Sequence, residues 1–205
     1  MKSPERLTGQ IKMDSLRGVN LPDLAEKFFK SIDKRVGPFD RPFQFRPFPF
    51  EAGGSLNFLT VGAGRALVTY VSWDLLGQQR QKRGKMGRYE LLATCDSERW
   101  CWDVLTNIGR QTLLEVFEPE DSMEISQWGS AFGLSGVVFE EAFSARIRVG
   151  WQREPCGLLR CIGITQAELE FTQKRGAKAL MERLKRAGIY PNTLVHRPSV
   201  NLLDE

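Results

Sequence analysis

The chain contains one histidine, His196, and it stands beside Pro198 close to the carboxy terminus. Hydrolysis by a serine or cysteine nucleophile needs a base within hydrogen-bond reach and an orienting group behind that base. With its only imidazole in a tail, the sequence offers no such set. Acid–base work without histidine falls to carboxylates, and Asp74, Glu90, Asp96 and Glu98 stand at the predicted ends of strands and helices. Glu90, two residues from Arg88, reads as one half of an ion pair or as a turn anchor, and Asp96 reads as a helix cap. An enzyme built on a carboxylate pocket is therefore an alternative, not the first expectation.

Metal and cofactor chemistry are weakly supplied. Cys95 and Cys101 are separated by five residues and Cys156 and Cys161 by four, and the sole histidine is remote, so zinc-knuckle ligation is not expected. Cys101 and Cys161 read as core positions. Gly62-Ala63-Gly64 follows a predicted strand, but Leu67 stands where a dinucleotide loop needs its third glycine and the next segment is β-branched. It reads as a turn, and no cofactor or metal is expected.

Charge points to recognition. Arg80, Lys82, Arg83, Lys85 and Arg88 form a basic loop without interleaved aromatics, so it reads as a solvated loop with, as a second alternative, weak affinity for polyanions. Glu115, Glu118, Glu120, Asp121 and Glu124 form an acidic counterpart. Opposite charges at different places suit protein recognition. The tryptophans not consumed by helix or strand periodicity are Trp73, Trp102, Trp128 and Trp151. Together with Arg88 and Glu90 they are the expected partner-contacting residues, because tryptophan and arginine dominate interface energies.

These residues need a scaffold, and periodicity outlines one. Leu21, Leu24, Phe28, Ile32 and Val36 recur at helical spacing and end at Gly37-Pro38. Pro38 to Pro49 interleaves prolines with phenylalanines and reads as an extended packed arm. Alternation predicts strands from Leu56 to Thr60 and from Leu67 to Val71, Tyr89 to Thr94 reads as a third, and further strands are expected at Thr112 to Phe117, Gly133 to Glu140, Phe143 to Val149 and Gly157 to Ile164. Asp96 or Ser97 caps a helix whose apolar face is Cys101, Val104, Leu105 and Ile108. Thr165 and Glu168 form a capping box, and a second apolar face of Ala177, Leu180, Met181 and Leu184 follows Gly176.

With 205 residues, 41% hydrophobic and 26% charged, the chain is of globular composition and large enough for one core without disulfides. Its first 20 residues are charged throughout, so no secretory signal is expected, and no run reaches the roughly 18 apolar residues of a membrane span. A cytoplasmic protein with reduced cysteines is expected. The net charge of +4 is too small to predict specific nucleic-acid binding.

Leu59-Thr60-Val61-Gly62, Gly87-Arg88-Tyr89-Glu90-Leu91-Leu92 before Trp100-Cys101-Trp102, and Leu158 to Ile164 running into Thr165-Gln166-Ala167-Glu168-Leu169 together resemble the suppressor-of-fused-like domain, in its single-domain bacterial form. The resemblance spans Leu56 to Val195, and Gly176, Leu180 and Leu184 extend its last block. It implies an α+β fold with a central, mainly antiparallel (mixed) sheet flanked by helices and a carboxy-terminal helix pair. The expected layout is a lead-in over 1–19, the domain over 20–195 and a tail over 196–205. The implied function is non-catalytic protein binding, as a regulatory adaptor or as an immunity protein that neutralises a toxin. In the family's two-domain animal member a partner peptide adds a strand in a cleft between the domains, and only one such domain fits here.

Overall fold

The computed structural model describes residues 21–40 and 56–202. Helix α1 (Leu21–Val36) buries Leu24, Ala25, Phe28 and Ile32 along one stripe, as the spacing requires. Strands β1 (Phe58–Val61), β2 (Val68–Ser72) and β3 (Arg88–Cys95) follow, each antiparallel to the one before. A helical run then comprises α2 (Glu98–Trp100), a π turn (Cys101–Leu105) and α3 (Thr106–Gln111). Strand β4 (Ser122–Glu124) and the short helix α4 (Ser126–Gly129) lead to the long strands β5 (Gly136–Val149) and β6 (Gln152–Ile164). Helices α5 (Gln166–Arg175) and α6 (Ala177–Arg186) form the carboxy-terminal pair.

The strands make one six-stranded sheet in the order β1-β2-β3-β6-β5-β4, with β3 and β6 parallel and the other pairs antiparallel. This is the α+β fold with a mixed sheet that the sequence predicts. One face carries Tyr89, Leu91, Ala93, Val137, Phe139, Leu159 and Cys161 beneath the helical run, whose Trp100, Cys101, Val104, Leu105 and Ile108 are fully buried. On the other face, α1 packs over Leu59, Val71, Leu92 and Leu158 at one end. The α5–α6 pair packs over Val138, Ile162 and Ile164 at the other. No helix among the described residues is long and apolar enough to cross a membrane.

Two local expectations change, and one open choice is resolved. Thr112 to Phe117 is not a strand: Thr112 donates to the Ile108 carbonyl and both Leu114 and Glu115 to that of Gln111, so helical turns take up the backbone before the chain leaves the helix. The strands read separately at Gly133 to Glu140 and Phe143 to Val149 are one, because a register shift between Glu141 and Phe143 breaks the alternation without breaking the pairing. Ser97, not Asp96, caps the helical run, its Oγ accepting from Trp100 N at 3.3 Å, while Asp96 accepts from Val195 N. The capping box of Thr165 and Glu168 is present as read. The predicted arm from Pro38 to Pro49 lies outside the described residues beyond Asp40.

Candidate functional site

Strands β5 and β6 form a hairpin longer than the rest of the sheet: β3 pairs with β6 only from Cys156 to Arg160, so at the tip neither edge has a strand partner among the described residues. Strand β4 pairs with Gly136, Val137 and Val138, and the backbone of Phe139 exchanges hydrogen bonds with Glu120 and Asp121. Beyond Phe139 no strand among the described residues pairs with the outer edge of β5. Phe139 turns both its N–H and its C=O outward. Period-two alternation, shifted by one at the bulge, therefore turns those of Ser144, Arg146 and Arg148 outward too. The Arg148 carbonyl meets Lys27 Nζ of α1 at 3.3 Å on that side.

Side chains give this edge two faces. Phe143 and Ile147 pack toward α1, where the Phe28 and Phe143 rings lie 6.0 Å apart and the Arg35 guanidinium sits 4.7 Å from the Phe143 ring centre. Beside the edge lies a groove of about 610 Å³, lined among others by Lys85, Glu118, Glu120, Glu141, Arg146 and Pro155. At the hairpin tip Val149 pairs with Gln152, leaving Gly150 and Trp151 as a two-residue loop. Gly150 has φ 60, the glycine-first pattern of a tight hairpin turn. Trp151 is 84% exposed.

The expected contact residues do not converge. Trp102 is 37% exposed, donates its Nε1 to Glu98 and packs edge-on against Phe58. Trp73 and Trp128 are half-buried against different core clusters, Trp73 beside α1 and Trp128 beside the helical run. Arg88 and Glu90 are interior residues, 2% and 0% exposed, and they do not pair with each other. Arg88 Nη1 donates to the Gln78 carbonyl, and burial lowers its pKa from the ordinary value. Glu90 accepts from Leu76 N at 2.8 Å, Leu75 N at 3.2 Å and Ser72 Oγ at 2.5 Å. Desolvation pushes its carboxyl up to about 8 in spite of those bonds. Glu90 is thus a turn anchor, holding the start of the β2–β3 connection by its free N–H groups.

The other chemical candidates also have structural partners. Asp74 accepts from Asn57 N and Nδ2, at 2.8 and 3.0 Å, and burial raises its pKa. All four cysteines are free and buried. Burial pushes Cys156 up to about 12, and burial together with Cys95 pushes Cys101 upward. Such thiols are poor nucleophiles. Among the described residues no group of three or more His, Cys, Asp or Glu is placed to hold a metal ion. Arg80, Lys82, Arg83 and Lys85 are exposed, and Arg83 reaches Glu154 at 3.5 Å.

A family profile for suppressor of fused protein (SUFU) matches residues 54–198, more than half of the chain. The chain belongs to the suppressor of fused family. Its fold is similar to the crystal structure of a Sufu–Fu complex, at TM-score 0.59 and 16% identity over 91% of this chain and 98% of that one. It is also similar to a SUFU homologue from Neisseria gonorrhoeae FA 1090, at TM-score 0.58 and 15% identity over 89% and 99% of the two chains. Against Drosophila Suppressor of Fused the TM-score is 0.59 at 15% identity, over 86% of this chain and 50% of that protein, so this chain spans half of its length. No curated protein matches the sequence significantly. At these identities the likeness to the solved structures is one of fold.

Residue type alone marks Trp151 but not its surroundings, Ser144, Arg146, Arg148 and Arg153. The signal was there: Arg146-Ile147-Arg148-Val149 alternates charged and apolar residues up to Gly150. That alternation marks a strand with one solvated face, but nothing in it says that the strand's edge is open.

Proposed function

We propose that this SUFU-family protein is a non-catalytic protein-binding module that takes an extended segment of its partner onto the outer edge of β5, as a regulatory adaptor or a toxin-neutralising immunity protein. The observation that carries this reading is the row of outward backbone groups at Ser144, Arg146 and Arg148, which no strand among the described residues covers. An open edge is a template for one more strand, and backbone pairing there supplies affinity while side chains supply choice. The similar structure of a Sufu–Fu complex, in which that protein is seen with another, supports the reading. The buried free thiols support placing the protein in the cytoplasm.

The test uses a partner identified by cross-linking in the native host and then purified. Proline at position 144 removes an outward donor while leaving the hydrogen bonds to β6 in place. Ser144→Pro is expected to weaken binding by at least about tenfold, whereas Ser144→Ala, which removes only the hydroxyl, is not. Amides of Ser144, Arg146 and Arg148 are expected to gain exchange protection in the complex. Unchanged affinity in folded Ser144→Pro, with no added protection at those amides, refutes edge docking.

A further inference from the structure

The distal hairpin carries a charge arrangement that the fold itself does not explain. Arg148 and Arg153 are direct cross-strand partners in the β5–β6 ladder, and Arg146, two residues along, shares their face. All three are exposed. Like charges set directly opposite destabilise a strand pair, and among the described residues no carboxylate lies within ion-pair distance of any of these three guanidinium groups. Arg148 Nε donates to the Gly150 carbonyl at 3.3 Å, which orients the group without neutralising it. Trp151 stands at the apex of the same hairpin with 84% of its surface open. Unpaired arginines around an exposed indole are the composition of an interface centre, not of an ordinary solvated strand.

The spacing and surroundings narrow the ligand. Alternate residues of a strand lie about 7 Å apart, so Arg146 and Arg148 are in step with alternate side chains of any strand laid along β5. Toward the body of the protein the groove beside this edge is lined by Glu141, Glu120 and Glu118, with Lys85 as the one cation among them beyond Arg146. A nucleic acid following the edge would carry its phosphates from the arginines straight onto those carboxylates. A peptide can change charge from one residue to the next.

We infer that the hairpin tip binds an acidic extended peptide segment of the partner, its carboxylates at alternate positions facing Arg146, Arg148 and Arg153 and an apolar side chain covering Trp151. This rests on the reading of the β5 edge as the docking edge, and it adds the chemistry of the occupant.

The probe is a labelled eight-residue peptide alternating glutamate with valine and threonine, set against counterparts with lysine or glutamine at the same places and followed by fluorescence anisotropy. The glutamate peptide is expected to bind at least about tenfold more tightly than the lysine peptide, with affinity falling as salt rises. The double variant Arg148→Glu/Arg153→Glu is expected to invert the preference, and Trp151→Ala to weaken binding in either background. Equal binding of the glutamate and glutamine peptides, or no binding of the glutamate peptide, overturns the inference. So does tighter binding of an oligothymidylate or of phosphatidylserine vesicles. If Ser144→Pro releases the peptide while the charge reversal leaves the preference unchanged, edge docking stands and the acidic occupant falls. If the charge reversal still inverts the preference in Ser144→Pro protein, the acidic occupant stands and edge docking falls.

Discussion

Replacing Arg197 with alanine should cost far more than its place near the end of the chain suggests. Glu168, at the start of α5, is fully buried. Its carboxylate accepts from Arg197 Nη1 and Nη2 at 2.6 and 2.7 Å, from Val200 N at 2.8 Å and from Thr165 N at 3.0 Å. An exposed ion pair contributes about 0 to 1 kcal/mol. Removing one partner of a buried pair leaves an uncompensated charge and costs roughly 3 to 5 kcal/mol, a large share of the roughly 5 to 15 that holds a domain together. Burial alone would raise the carboxyl's pKa. The bonds from Arg197, Val200 and Thr165 outweigh it and hold the group below its ordinary value of 4.5. A depressed folded pKa contributes stability that is present above 4.5 and is lost as pH falls through the folded value. Without Arg197, burial dominates and the carboxyl takes up a proton instead. The stability gap between wild type and Arg197→Ala should therefore be widest near neutral pH and shrink as the solution is acidified through 4.5. Urea denaturation followed by circular dichroism at several pH values measures the gap. Arg197→Ala/Glu168→Gln should recover part of the loss, since the charge that needed compensation is gone. A cost below about 1 kcal/mol, or one independent of pH, would show that the pair is not desolvated as described.

Glu90 should act with the opposite sign. Its folded pKa of about 8 lies above the ordinary 4.5, so the folded protein holds a proton that the unfolded chain releases, and the group's contribution declines as pH rises across that window. Glu90→Gln should flatten the decline in urea titrations between those limits, and an unchanged slope would count against a protonated interior carboxyl. Gly87 has φ 79, and a Cβ there would stand 2.1 Å from the Pro155 carbonyl oxygen, with backbone on both sides of the clash. Gly87→Ala should therefore lower the melting temperature sharply or abolish soluble expression, and near-wild-type melting would mean that β3 and β6 do not meet as described.

Much of the framework was legible in the sequence because its signals are local. The stripe of Leu24, Phe28 and Ile32 repeats at the period of a helix that buries one side, and α1 follows it from Leu21 to Val36. Thr165 and Glu168 are three residues apart, and reciprocal capping needs nothing beyond that separation. The strands β1 and β2 show in the alternation of Leu56 to Val71, and β3 in the short apolar run that Tyr89 to Thr94 makes between turns. Where the reading failed, local signals were broken or ambiguous: the shift between Glu141 and Phe143 made one strand look like two, and the three-residue β4 is too short to show a period.

The tertiary structure alone decided what the charged residues do. Arg88 and Glu90, two apart, read equally as an ion pair or as a pair in which Glu90 anchors a turn, and only the fold chooses the second, bringing Gln78 to one and Ser72, Leu75 and Leu76 to the other. Arg197 looks like part of a loose tail, yet it closes on a carboxylate 29 residues away. The candidate site follows the same rule. Arg148 and Arg153 become opposed only when β5 and β6 pair in this register, and the edge of β5 is open only because β4 ends its pairing at Val138. Helix periods and caps are set by contacts a few residues apart and so are written into the order of residues. Burial, opposition of like charges and an open sheet edge are set by which distant strands pair and where the pairing stops, and no short window of sequence encodes that.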